Sequence, residues 1–77
     1  MNNEKIVSLL KKMIEENTEE ARLTTEEISI IMKKEGVKTP HTIYEKAKKL
    51  GILNSKISCH KGAVLALSAV LKEIENE

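Results

Sequence analysis

The chain has 77 residues, enough for one small domain with a limited core. Tyr44 is its only aromatic residue and Cys59 its only cysteine, so the core must be aliphatic and no intramolecular disulfide can form. The net charge of +1 conceals a segregation: residues 37–61 carry six lysines against one acid, net +5, while residues 1–21 and 62–77 each come to −2.

Charged residues at 32% and apolar residues at 40% suit a folded chain rather than a disordered one. The longest strongly apolar stretch, Gly62 to Leu71, is too short to span a bilayer. The N-terminus MNNEKIVSLLKK has neither the apolar run nor the cleavage site of a signal peptide. The lone cysteine fits a reducing compartment, so a cytoplasmic location without membrane partners is expected.

Residues 3–16 predict a first helix, with Ile6, Leu9, Leu10, Met13 and Ile14 on one stripe and Asn2 or Asn3 as cap. Asn17 to Glu20 is polar and reads as a linker or a frayed helix end. Thr24-Thr25-Glu26-Glu27 fits a capping box, with Leu23 stapling onto Ile28, and predicts that a second helix starts there. Ile28, Ile31 and Met32 face inward, and Gly36 supplies a left-handed stop after Lys33 and Lys34. Thr39 caps a third helix with Pro40 at its first position, Ile43, Ala47 and Leu50 inside, and Gly51 as its end. Residues 54–61 allow a short strand, because Ile57 and Cys59 alternate with polar residues. A fourth helix runs from about Cys59 or Gly62 to Ile74 and is apolar on almost every side.

Residues 22–53 resemble a helix-turn-helix unit of the winged-helix type, over about two-fifths of the chain. The resemblance rests on LTTEEIS at 23–29, GVK at 36–38 and TIYEKAKKLGIL at 42–53. Together with the helices read on either side of it, this gives the expectation of an all-α, four-helix domain over 1–77 with a helix-turn-helix-like core. Its wing would be absent or reduced to one short strand. In that family the second motif helix enters the major groove. Carried over by position, Thr39, His41, Thr42, Glu45, Lys46 and Lys49 would face DNA.

Lys38 and Lys56 join this set as phosphate contacts, since clustered lysines neutralise a polyanion. Helix 3 has no arginine, the usual reader of guanine, so strong base readout is not expected. Val64, Leu67, Val70, Leu71 and Ile74 offer more apolar surface than one side of a monomer needs, and are expected to form a homodimer interface. Cys59 and His60 are neighbours whose side chains diverge by about 100° in a helix, so no nucleophile–base pair is expected. One cysteine and two histidines do not complete a structural zinc site, and no glycine-rich phosphate loop is present. The expectation is therefore a regulator without catalytic activity, cofactor or metal, binding double-stranded DNA as a homodimer. The alternative is a small helical protein-interaction or inhibitor module, of the kind a mobile element carries, that does not read DNA.

Overall fold

Two uninterrupted series of residues, spaced alternately by three and four, decide the architecture. The first is Val7, Leu10, Ile14, Asn17, Ala21, Thr24, Ile28 and Ile31. The second is Leu50, Leu53, Ile57, His60, Val64, Leu67, Leu71 and Ile74. Such a period keeps one narrow stripe on the same side of a helix over its whole length. In the computed structural model, which describes residues 3–34, 36 and 38–76, every one of these residues is buried or half-buried.

The described residues form two helices, α1 (Asn3–Lys33) and α2 (Pro40–Glu75), packed side by side as an antiparallel hairpin. The body measures 59 × 15 × 14 Å. The all-helical expectation therefore holds, but the four-helix domain with a helix-turn-helix-like core does not. The expected first and second helices are one helix, as are the third and fourth. Residues 54–61 are helical, so the short strand expected there is also corrected.

The signals that suggested breaks are absorbed inside the helices. Thr24 is not a cap. Its hydroxyl donates to the Glu20 carbonyl at 2.7 Å, and Thr25 donates to Ala21 at 2.8 Å. Thr18 and the Asn17 amide make the same backward bond to Ile14 and Met13, each at 2.8 Å. These residues satisfy their polar groups against the preceding turn, an alternative to capping. Leu23, read as a staple, is exposed. Arg22 bridges Glu19 and Glu26 across this region, adding helix-surface ion pairs at i,i+3 and i,i+4.

Gly36 and Gly51 also depart from expectation. No described residue has a positive φ, so neither glycine adopts the left-handed conformation of a helix stop. Gly51 lies inside α2, where the seam runs past it from Leu50 to Leu53. The reading of Ile57 and Cys59 as a strand matched a period of two. The period of three and four through Leu53, Ile57 and His60 is the one the chain follows.

The start of α2 agrees with the sequence. Thr39 is the N-cap, Pro40 follows it, and Thr39 and Thr42 form a reciprocal capping box. The Thr42 N–H donates to Thr39 Oγ1 at 3.2 Å, and the Thr39 N–H to Thr42 Oγ1 at 3.0 Å. Asn2, Glu35 and Val37 lie outside the described residues. The Asn2 cap and the central residue of the expected turn fall there.

Candidate functional site

The seam is polar at three places, and each has a different consequence. At mid-height Asn17 faces His60. The Asn17 amide nitrogen already donates to Met13, so its Oδ1 is the acceptor for the His60 Nδ1–H at 2.8 Å. One polar pair in an apolar seam penalises any sliding of one helix along the other, because both partners would be left unsatisfied. Two turns on, Thr24 is 2% exposed and lies in the most tightly packed stretch, with Ala21 and Leu53.

The third polar place is Lys46, at the end where the chain turns. It continues the series four residues before Leu50, and its Nζ donates to the Lys34 carbonyl at 3.4 Å. A lysine in the seam keeps the helices from closing here. Ile43, one turn earlier, is 57% exposed. A groove of about 970 Å³ opens at this end, floored by Ile31, Ile43, Leu50 and Ile52. Lys34, Lys38, Lys46, Lys48 and Lys49 line it.

The hairpin turns the sequence's charge segregation into a spatial one. The described residues between 31 and 49 form the tip and hold six lysines against one acid, Glu45. The described residues of 3–21 and 62–76 make up the other half of the body and total −3. The body is 59 Å long, several screening lengths at physiological salt, so each end presents its own sign to solvent. The first turn of α2 contains no acid, and the C-terminal end of α1 lies beside it, so the two helix dipoles oppose one another at the tip.

Of the sequence-predicted DNA residues, the hairpin gathers Lys38, Thr39, His41, Thr42, Glu45, Lys46 and Lys49 at the tip. Lys38, His41, Glu45 and Lys49 are exposed. The Thr39 and Thr42 hydroxyls are engaged in the capping box. Lys46 is half-buried in the seam. Lys56 is set apart, about 10 Å along the helix from Lys49. Lys33 and Lys34 belong to the tip as well. In the sequence alone they mark only a helix end; they reach the tip because α1 folds back beside α2.

Val64, Leu67, Leu71 and Ile74, expected at a dimer interface, are half-buried in the seam against α1. Val70 alone of that set is exposed, at 45%. Cys59 is exposed while the His60 ring is held by Asn17, so the two side chains do not meet. Among the described residues no group of three or more His, Cys, Asp or Glu is placed to hold a metal ion. No described helix is long and apolar enough to cross a membrane. At the middle of α1, the hydrogen bond from Arg22 holds the Glu19 carboxyl below its ordinary range, and Glu19 in turn pushes Arg22 up.

No protein-family model, curated protein or solved structure matches the chain.

Proposed function

We propose that the hairpin binds double-stranded DNA through phosphates at its basic tip and acts in the cytoplasm as a small regulator with weak sequence preference. The observation that carries this reading is the concentration of six lysines in residues 31–49, at one end of a 59 Å body. Lysine ammonium groups bind phosphate as point charges and release counterions, which supplies affinity without sequence information. The only arginine, Arg22, lies outside the tip and is paired with Glu19 and Glu26. Base readout of guanine has no donor fork available there.

The test is the salt dependence of binding to a fluorescent duplex. Four phosphate contacts predict a loss of about 100-fold in affinity between 50 and 200 mM salt. Lys48→Ala combined with Lys49→Ala should weaken binding to every duplex alike and lower the log–log slope by about 2. Absence of binding at low salt, or binding that ignores salt, contradicts the reading.

A second reading, a helical interaction or inhibitor module that does not read DNA, has its own support. Ten large apolar side chains are exposed among the described residues, against two buried apolar ones. A surface of that kind marks a contact with protein. This reading gains if duplex binding fails while the hairpin remains folded.

A further inference from the structure

The hairpin exposes 6212 Å² of surface. A compact chain of its 8.7 kDa mass would expose about 4,700 Å². The excess, about 1,500 Å², exceeds the roughly 800 Å² per partner of a standard protein interface. Most of the exposed apolar groups lie on one flank of the seam. On α1, Leu9, Met13, Leu23 and Ile30 follow the spacing of three and four, one position to the side of the seam series. On α2, Ile52 and Val70 hold the equivalent positions. The opposite flank carries fewer exposed apolar groups, Met32 and Leu65, among polar residues such as Ser8, Lys11 and Glu75.

The Asn17–His60 bond fixes which residues lie level across the hairpin. Leu9 is level with Val70, and Leu23 with Ile52. Between these apolar zones Glu20 is level with Lys56, and nearer the tip Glu27 is level with Lys49. Two levels of the flank therefore carry apolar groups on both helices and two carry an acid on α1 and a lysine on α2, while Glu16 and Glu73 face no lysine at their own level.

We propose that this flank is closed by a second copy of the chain, related by a two-fold axis along the hairpin, to give an antiparallel four-helix bundle with both tips at the same end. That rotation sets α1 of one copy over α2 of the other at equal height. Leu9 then meets the Val70 position, Leu23 meets the Ile52 position, and Glu20 and Glu27 meet the Lys56 and Lys49 positions. The surface is self-complementary, as a two-fold interface must be. The opposite arrangement, tip to tail, would stack α1 on α1, bring Glu16 against the Glu20 position and lose both Glu–Lys pairings. The same-end arrangement keeps those pairings and sets the two basic tips side by side; the spin-label distance decides between them. The assembly joins two basic tips into one surface with twelve lysines, since each tip contributes six. It stands whether or not the tip binds DNA.

The experiment is sedimentation equilibrium on the full chain, followed by a distance measurement. Wild type should sediment at twice 8.7 kDa at micromolar concentration. Leu9→Lys with Met13→Lys changes only exposed positions, and should sediment as a single chain with its helical circular dichroism retained. Glu20→Lys alone and Lys56→Glu alone should each weaken association about tenfold, and mixing the two should restore it as a heterodimer. With Cys59→Ser and a spin label at His41→Cys, the two tips should lie within about 30 Å. Wild type sedimenting as a monomer at millimolar concentration with full helicity overturns the proposal. So does a tip separation near the 59 Å length of the body.

Discussion

The middle of the hairpin and its tip are built from the same seam and do opposite things. In the middle, Ala21 and Thr24 let the helices approach closely, Leu53 fills the space between them, and Asn17 and His60 satisfy one another. At the tip the same series meets Lys46, whose charged end reaches a helix carbonyl instead of packing. Ile31 and Leu50 are only half-buried there and Ile43 is exposed. The middle holds the fold together. The tip contributes little to stability and leaves most of its lysines and its groove open to solvent.

The contrast is sharpest in a pair of truncations read by chemical denaturation. Leu53→Ala, at 7% exposure, should cost about 2–5 kcal/mol. Ile43→Ala should cost less than about 1 kcal/mol, as an exposed side chain does. Equal costs at both sites would mean that the tip is packed like the middle.

A smaller effect is expected from the polar pair. Asn17→Ala or His60→Ala leaves the other partner half-buried and unsatisfied, and each should cost about 1–3 kcal/mol. In a double-mutant cycle the two losses should not add, because the second substitution removes a group that is already unpaired. Additive losses would show that the two side chains do not meet. Replacing both by leucine should keep or raise stability while relaxing the register, which would appear as line broadening in amide spectra of the seam.

The smallest effect separates two architectures by its sign. A glycine inside a helix is destabilising relative to alanine, and a Cβ added at Gly51 would meet nothing within 4 Å. Gly51→Ala should therefore raise stability by about 0.5–1 kcal/mol. If Gly51 were a left-handed stop, the same change would lower it.

The helical class, the capped start of α2 and part of the inward stripe of α1 (Ile6, Leu10, Ile14, Ile28 and Ile31) were legible in the sequence, because each rests on local chemistry. Leu9, Met13 and Met32, expected inside, are exposed. Thr39 and Pro40 name a helix start whatever surrounds them. The length of the helices was not legible from local signals. Thr24-Thr25-Glu26-Glu27 and Gly51 are good cap and stop sequences, yet the hairpin overrides both. Its seam gains from continuing through Thr24 and past Gly51, and tertiary packing outweighs propensities of about 1 kcal/mol. The unbroken series from Val7 to Ile31 and from Leu50 to Ile74 was the signal that could have revealed this. Read as separate short windows, it looks like four amphipathic helices. The site followed the same logic. Lys38, Lys46 and Lys49 were visible as a charge run, whereas Lys33 and Lys34 joined them only when α1 folded back beside α2.

The central claim is that two continuous helices form one long hairpin, and small-angle X-ray scattering tests it most directly. The Cα radius of gyration is 17.7 Å and the longest dimension 59 Å. A compact chain of this length would have a radius of gyration of about 11.5 Å. A scattering curve giving a radius near 18 Å and a maximum dimension near 60 Å is the expected result, and two copies side by side remain comparably long. A radius near 12 Å for the single chain would contradict the hairpin and restore a compact bundle of short helices.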